Sequence, residues 1–446
     1  MKISISSCHG GRLRIAIALL RPSKGGRDVW GKPPNAPRAW AAPPLPLFSS
    51  RRVAKQAMAS SHEAEPAAVA LSMLPYADSG ESRGYRIGPG HVLPNCVIDG
   101  FPGMLRGAPE YEAQVICLEE SLIMKIAILT PNLPERHKVF RDLAQPDMDL
   151  VYVDAESPDD AVLAECRDAD AIVLAVPGAN LSLDVLRQCP NVKLVQGVLA
   201  GYDRIDVKGM SEIGVPYANN GGGNSIAVAE HALALMLGLG RGIVRQARNT
   251  REKRWNEGLR GMPTWELSGK RVGIVGLGPI GQAMARLLLG FGGETVYYKR
   301  TPATMELESE LRAHYVPLDE LMSTSDAISV HLALTPSSRG LIGAREIGLM
   351  KPTGFIVNTS RGAVIDEQAL YEALRDGRIA GAGLDVLEQE PTPADNPLLD
   401  LDNVIVTPHQ SGISRESGPR SARFAMANVR RAVLGEPIQS VIAPSE

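Results

Sequence analysis

The sequence predicts an α/β protein with two doubly wound, Rossmann-like lobes, a functional site in the cleft between them, and a non-globular N-terminal extension. From residue 124 onwards, short apolar runs alternate with helical stretches, which indicates βαβ units and parallel sheets. A glycine cluster at 220–224 interrupts this alternation and divides it into two series. Residues 75–110 are instead rich in proline and glycine, which is typical of irregular or disordered chain.

The elements of the first series lie before the glycine cluster. Apolar runs predict strands, and the segments between them have helical periodicity. The predicted strands are 125–129, 151–153, 171–176 and 194–198, and the predicted helices include 159–167 and 183–189.

The second series begins with a helix at 225–241, for which Asn224 or Ser225 is the expected N-cap. A long helix at 414–434 ends the chain, and we expect it to return to the first lobe. The predicted strands between these helices are 271–275, 295–298, 327–330, 355–358, 382–386 and 404–407.

Composition excludes several kinds of partner and site. The chain has 446 residues and a net charge of −3, so size allows two or three domains and charge gives no reason to expect a nucleic-acid or membrane partner. The five cysteines form no CxxC pair, which favours reduced thiols and a reducing compartment. Since His, Cys and Asp are not clustered at ligand spacing, we expect no metal.

The N-terminal extension, residues 1–123, has two interpretations. Residues 1–57 hold eleven Lys or Arg against one acid, as organelle transit peptides do, which would place the protein in a plastid or mitochondrion. Alternatively the reading frame is extended, because Met58 and Met124 are both plausible natural starts. The protein would then be cytoplasmic.

A glycine-rich turn follows the predicted strand 271–275 and opens a helix, the context in which GxGxxG binds a dinucleotide. Gly276 would permit the tight turn, Gly278 the close approach of a pyrophosphate, and Gly281 the contact of helix with strand. The predicted cofactor-binding residues of this turn are Gly276, Gly278, Pro279, Ile280 and Gly281.

The end of the next strand distinguishes between the two nicotinamide dinucleotides. An NAD enzyme usually has an acid there for the ribose 2′-hydroxyl, whereas this chain has Lys299 and Arg300. Two cations can pair with a 2′-phosphate, so we expect NADP(H) rather than NAD(H). The alternative is a solvated basic pair with no role in binding.

Three polar groups follow three successive predicted strands near the C-terminus: Arg361, Glu390 and His409. Ligands bind at the carboxyl ends of strands in open α/β sheets, so we expect these side chains to converge. Arginine can fork across a carboxylate, histidine can exchange a proton near neutral pH, and a carboxylate beside it stabilises the imidazolium. This combination suits a dehydrogenase acting on a small hydroxy or keto acid.

The chain from 124 to 442 resembles the D-isomer-specific 2-hydroxyacid dehydrogenase family. The resemblance rests on several motifs that occur in the same order as in the family, and it is strongest from 219 to 412. The matching segments are 228–236, 276–281, 331–336, 350–352, 358–362, 381–391 and 407–412.

The resemblance implies roles for individual residues. Arg361 would bind substrate and polarise its carbonyl, His409 would donate the proton in reduction, and Glu390 would be the partner of His409. Backbone N–H groups of Ala200 and Gly201 would hold the substrate carboxylate. Further cofactor contacts are expected at Thr335, Thr359, Ser360 and Asp385.

The resemblance also implies domains and an assembly. Residues 124–220 and 409–446 would form the substrate-binding lobe, and 221–408 the dinucleotide-binding lobe. Trp255 and Trp265 lie where relatives build dimer arms, so a homodimer is expected. We expect Asp203 and Asp206 to orient their loop, and Glu230 and His231 to make helix-packing or interface contacts.

The expected activity is NAD(P)H-dependent reduction of a small 2-keto acid of the glyoxylate or hydroxypyruvate type to the D-2-hydroxy acid. Two alternatives remain open. One is a phosphoglycerate-type dehydrogenase running in the oxidative direction, and the other is a corepressor-like protein that senses dinucleotide and binds peptides. A formate dehydrogenase is disfavoured, because that group has glutamine where Glu390 stands.

Overall fold

A computed structural model describes residues 123–257, 260 and 264–444, together with the backbone of three earlier strands. The chain divides into two units, Met1–Leu122 and Ile123–Glu446. Most of the predicted transit segment 1–57, and all of the predicted irregular segment 75–110, lie outside the described residues.

The described strands of the first unit are β1 (Lys2–Cys8), β2 (Arg12–Pro22) and β3 (Tyr111–Glu119). They pair antiparallel in the order β1–β2–β3.

The first lobe of the second unit is built on a parallel sheet of five strands with the order β5–β4–β6–β7–β8. Strand β6 is buried along its whole length, as expected for a parallel sheet covered on both faces. In chain order the elements are β4 (Met124–Leu129), α1 (Pro134–Arg141), β5 (Met148–Val153), α2 (Asp159–Cys166), β6 (Ala171–Leu174), α3 (Leu183–Arg187), β7 (Val195–Gly197), α4 (Val207–Glu212) and β8 (Tyr217–Ala218).

Two helices follow the glycine cluster, α5 (Ser225–Arg241) and α6 (Ile243–Arg251). Gly242 separates them in a left-handed conformation, with φ of 61°. Asn224 is the N-cap of α5, but its side chain makes no capping hydrogen bond and instead accepts one from Asn220. Within the described chain no single helix is long and apolar enough to cross a membrane; α5 and α6 qualify only as a pair bent by 68°, by length and composition alone.

The second lobe is built on a parallel sheet of seven strands in the order β11–β10–β9–β12–β13–β14–β15. Its order reverses between β9 and β12, and ligands bind at such a switch point. The elements are β9 (Arg271–Val275), α7 (Pro279–Leu288), β10 (Glu294–Tyr298), α8 (Met305–Leu311), β11 (Ala313–Tyr315), α9 (Leu318–Thr324), β12 (Ala327–Val330), α10 (Ala344–Leu349), β13 (Phe355–Asn358), α11 (Glu367–Arg375), β14 (Gly381–Leu384) and β15 (Val404–Val406).

The last helix, α12 (Ser417–Leu434), crosses back to the first lobe. It packs on β4, β6, β7 and α1, and its Ala425 and Val429 are fully buried with Ile126 and Ile128 of β4. Helix α5 packs instead on the second lobe, against α7, β13, β14 and β15. The predicted fold class of two Rossmann-type α/β lobes is therefore confirmed.

Several element boundaries differ from the prediction. The helix expected at 414–434 begins at Ser417, because Ser414 accepts backbone N–H groups from Glu416 and Ser417 and forms a turn before it. Strands β8 and β11 were not predicted. They have two and three residues, too few to show an apolar period.

Candidate active site

The turn at 276–281 has the geometry that its glycines predict. Gly276 has φ of 102°, and a Cβ on it would stand 2.5 Å from the carbonyl oxygen of His331. A Cβ on Gly281 would stand 2.1 Å from the carbonyl oxygen of Gly276, whereas one on Gly278 would meet nothing within 4 Å. The N-terminus of α7 is therefore open at Gly278, with Pro279 as its first residue, and a pyrophosphate fits there.

The loop after β10 carries Lys299 and Arg300, which are both exposed. The Tyr297 hydroxyl holds this loop, since it accepts the Ala303 N–H at 2.7 Å and donates to Glu308 at 2.8 Å. Burial and the contact with Glu308 raise the pKa of Tyr297 to about 12, although the Ala303 N–H acts to lower it. Glu308 is thus turned towards Tyr297, and no described acid pairs with either cation.

Other residues predicted to contact the cofactor lie at the ends of β12 and β13. Thr359 and Ser360 are buried directly after β13, and Thr335 lies in the loop after β12. The Thr359 hydroxyl and the His331 Nδ1 are buried without a hydrogen-bond partner in the described structure. Unpaired buried polar atoms are rare, so their presence at these strand ends fits a site built to receive a polar molecule.

His409 and Glu390 form the pair that the sequence predicts. The His409 Nδ1 lies 2.7 Å from the Glu390 Oε2, and the histidine side chain is 43% exposed, so its Nε2 can reach a ligand. The second oxygen of Glu390 accepts the Leu387 N–H at 3.1 Å. Protein contacts therefore hold both members of the pair.

The backbone of His409 is in the left-handed region, with φ of 53°, which a residue other than glycine adopts only when its surroundings hold it there. The His409 N–H donates to the Asp385 carbonyl at 2.8 Å. The Asp385 carboxylate accepts the next two N–H groups, from Gln410 at 2.9 Å and Ser411 at 2.8 Å. Asp385 therefore fixes the loop on both sides of the catalytic candidate.

The Asp385 side chain has no exposed surface and also accepts the Thr407 hydroxyl at 2.6 Å. Its expected contact with the cofactor stays a prediction. The Thr407 hydroxyl lies 2.9 Å from the His231 Nε2. His231, for which helix-packing or interface contacts were expected, therefore joins α5 to the loop that precedes His409. His231 and Thr407 are 176 positions apart, so the sequence alone does not predict this contact.

Arg361 follows strand β13. Its Nε donates to the Asp203 Oδ1 at 2.8 Å, and its Nη1 donates to the Ser360 carbonyl at 2.8 Å. A Cβ on Gly201 would stand 1.5 Å from the Arg361 Nη2, so the guanidinium lies directly on the loop of Ala200 and Gly201. The residues predicted to bind substrate are therefore adjacent.

The contact between Asp203 and Arg361 joins the two lobes, since Asp203 follows β7 and Arg361 follows β13. Partial burial acts to raise the pKa of Asp203, but the charge and hydrogen bond of Arg361, together with a backbone hydrogen bond and the charge of Arg204, hold this pKa below its usual value. The sequence indicated only a loop-orienting role for Asp203. The sequence shows an acid, Asp203, directly after Gly201 and Tyr202, but it does not show that this acid pairs with Arg361.

Comparison with known proteins identifies the family. The profile of the D-isomer specific 2-hydroxyacid dehydrogenase NAD binding domain matches residues 233–411. A glyoxylate reductase from Korarchaeum cryptofilum is 37% identical over 292 residues, which are 65% of this chain and 87% of the relative. The chain belongs to the D-isomer specific 2-hydroxyacid dehydrogenase family. It is therefore an oxidoreductase of the CH–OH class with a domain for a nicotinamide dinucleotide.

Two further relatives of this dehydrogenase agree with that assignment. A hydroxypyruvate reductase from Blautia hydrogenotrophica is 35% identical over 62% of this chain and 86% of its own length. The crystal structure of a glyoxylate reductase from Paecilomyes thermophila is 30% identical and superposes with a TM-score of 0.62. That alignment covers 72% of this chain and 98% of the other.

Proposed function

We propose that this dehydrogenase reduces a small 2-keto acid of the glyoxylate or hydroxypyruvate type to the D-2-hydroxy acid, with NADPH as the preferred cofactor. The observation that carries the proposal is an arginine and a histidine–carboxylate pair that follow three neighbouring strands of one sheet, β13, β14 and β15. Arg361 lies on the Ala200–Gly201 loop, and His409 is held by Glu390 at 2.7 Å. Relatives that reduce glyoxylate and hydroxypyruvate support the substrate class.

The bound dinucleotide supplies the hydride, and the chain supplies everything else. The free Nη edge of Arg361 and the N–H groups of Ala200 and Gly201 bind the substrate carboxylate and polarise the carbonyl. As negative charge develops on the carbonyl oxygen, the His409 Nε2 donates a proton to it. Glu390 at Nδ1 orients the ring and stabilises its protonated form.

The preference for NADPH rests on the end of β10. Lys299 and Arg300 are exposed there, Glu308 of the following helix is bound to Tyr297, and no described acid pairs with either cation. A 2′-phosphate on the ribose would find two cations free to pair with it. An NAD enzyme would need an acid at this position, and the strand end has none.

Initial rates test both parts of this proposal. The full chain is assayed with glyoxylate and with hydroxypyruvate, each with NADPH and with NADH. We expect faster turnover with NADPH. The double variant Lys299→Ala/Arg300→Ala should raise KM for NADPH roughly 10–100-fold, as expected for lost charge-assisted contacts, and leave KM for NADH nearly unchanged.

Lys270→Ala is the matched control, because Lys270 is a cation at the opposite end of the same sheet, immediately before β9. It should alter neither KM. A wild-type preference for NADH would contradict the cofactor proposal and leave the reductase intact. No turnover of any keto acid, together with binding of a peptide, would favour the corepressor-like alternative.

We also propose that the protein is a homodimer whose interface includes α6. Ile243 and Val244 at the start of this helix are 54% and 53% exposed, and Trp255 is 73% exposed. Apolar side chains this exposed on one segment favour a covering partner. Light scattering should give twice the chain mass for the wild type and a lower mass for Val244→Lys.

A further inference from the structure

We infer that Asp203 is a positioning residue for Arg361, fixing the guanidinium across the cleft so that its Nη2 edge faces the backbone of Ala200 and Gly201. This inference rests on the proposed function, since it concerns the same anion site. The sequence indicated only that Asp203 orients its loop, and the inference gives it a specific positioning role.

The contacts of Arg361 define the direction in which its guanidinium points. The Nε–H is used by Asp203 at 2.8 Å, and one Nη1–H is used by the Ser360 carbonyl at 2.8 Å. A guanidinium has five N–H donors in a rigid plane. Two contacts on different nitrogens of that plane fix its orientation, and the Nη2 edge is left for a ligand.

Gly201 shows where this edge lies. A Cβ added to Gly201 would meet the Arg361 Nη2 at 1.5 Å and the Asp203 Oδ1 at 3.2 Å. The arginine and its carboxylate partner therefore both rest against the Gly201 backbone. The guanidinium edge and the loop N–H groups can face one bound carboxylate only while this arrangement holds.

The pair belongs to both lobes, and each end is anchored separately. Asp203 is at the end of β7 in the five-stranded sheet, and Arg361 is at the end of β13 in the seven-stranded sheet. Their side chains are 23% and 27% exposed, so water screens their attraction only in part. The pKa of Asp203 is lowered in spite of its burial, and Arg361 is the largest of the groups that lower it, which agrees with an ionised pair.

Asp206 shows what a purely structural acid in the same loop does. Its Oδ1 accepts the Gly209 N–H at 2.8 Å and caps α4. No contact joins it to Arg361 in the described structure. Asp206→Asn is therefore the matched control for Asp203→Asn and Asp203→Ala, with the same type of residue and the same loop but no link to the arginine.

The test is a double-mutant cycle on the full chain with glyoxylate and the preferred cofactor. Asp203→Ala should lower kcat/KM for glyoxylate roughly 10–100-fold, the range for losing a hydrogen bond to a charged group, and change KM for the cofactor less than about twofold. Asp203→Asn should fall between Asp203→Ala and the wild type. In an Arg361→Ala background, Asp203→Ala should have almost no further effect, because its role is exerted through Arg361.

Two results would overturn the inference. One is an unchanged kcat/KM in Asp203→Ala, and the other is independent, multiplying losses in the double variant. Asp206→Asn keeps a side-chain oxygen that can cap α4, and it should leave kcat/KM within about twofold of the wild type. An equal loss of kcat/KM in Asp206→Asn would show that Asp203 has only a general role in loop folding. That result would also overturn the inference.

Calorimetric titration of the same variants with oxalate separates this inference from the proposed activity. Oxalate carries a carboxylate and an adjacent oxygen like a 2-keto acid, and its binding to the enzyme–cofactor complex requires no turnover. If the wild type reduces no keto acid but binds oxalate, weaker binding in Asp203→Ala and its absence in Arg361→Ala still support the inference. If the wild type binds no oxalate, Arg361 is not an anion site and the inference is wrong.

Discussion

The two sides of the candidate site are held in different ways. On the proton-transfer side, Glu390, His409 and the Asp385 carboxylate all follow strands of the seven-stranded sheet, and their contacts lie within 26 residues of sequence. On the anion side, Arg361 depends on Asp203, which is 158 residues away and in the other lobe. The groups on the proton-transfer side are therefore held by contacts at the strand ends of one sheet, whereas the anion site joins residues that follow strands of two sheets.

This difference separates two kinds of defect. A variant on the proton-transfer side should slow the chemical step, because His409 donates its proton in that step. Damage on the anion side should reduce the binding and alignment of substrate. Variants on each side can therefore be distinguished by how kcat and KM change.

The largest effect is expected on the proton-transfer side. His409→Asn removes the proton donor, and general acid–base catalysis contributes roughly 10²–10⁴-fold. The variant should lose kcat by about that factor while KM for the keto acid changes little. His314→Asn, at an exposed histidine of β11, is the control and should keep wild-type kinetics. A full-rate His409→Asn would show that proton transfer takes place elsewhere.

On the anion side, Gly201→Ala should cost activity without costing stability. The new methyl group would stand 1.5 Å from the Arg361 Nη2, so the flexible end of the arginine must move. A displacement of about 1 Å can cost up to roughly 100-fold in rate, and we expect a loss of roughly 10–100-fold in kcat/KM. Gly214→Ala, with no atom within 4 Å of its Cβ position but φ of 77°, should show the reverse, a lower Tm with normal kinetics.

Asp385→Asn tests whether the proton-transfer side is held from behind. The amide can accept fewer hydrogen bonds than the carboxylate and would turn an NH₂ group towards a donor, so unfolding should become easier by about 1.5–3 kcal/mol. Urea denaturation measures this. Asp376→Asn, at an aspartate with a 44% exposed side chain that pairs with Arg375, should change the free energy of unfolding much less. Equal stability of Asp385→Asn and the wild type would contradict the role given to Asp385.

The smallest expected effect is a pH dependence in the second lobe. Burial lowers the pKa of His331 to about 3, below the value near 6.5 for an unfolded chain. The unfolded state therefore binds the proton first, and stability is lost as pH falls below 6.5, at up to about 1.4 kcal/mol per pH unit. His331→Gln, which can keep the bond to Ser329, should show a shallower loss between pH 6.5 and 5 in urea denaturation. Parallel slopes would show that His331 does not cause the loss.

Much of the fold could be predicted because its strands are short, apolar and fully buried. Strands β9, β12 and β13 have the predicted bounds, and all of their residues are buried except Arg271 at the start of β9. The ends of helices and the shortest strands were harder to predict from the sequence. Local turns decide them, such as the one in which Ser414 accepts two N–H groups before α12.

Some contacts of the site could be predicted from the sequence and others could not. The partnership of Glu390 with His409 could be expected because both follow neighbouring strands of one sheet. The links of Arg361 to Asp203 and of His231 to Thr407 could not, because each joins elements whose approach is set by the packing of whole lobes or helices. Sequence pattern reports which face of an element is apolar, and it does not report which polar side chains meet across a cleft.

The most direct test of the central claim is the configuration of the product formed from hydroxypyruvate. The full chain is incubated with hydroxypyruvate and NADPH, and the glycerate is resolved by chiral chromatography. With Arg361 and the Ala200–Gly201 loop holding the carboxylate and His409 protonating the oxygen, one face of the carbonyl receives the hydride, and we predict D-glycerate alone. L-Glycerate, a mixture of both, or no glycerate would contradict the account.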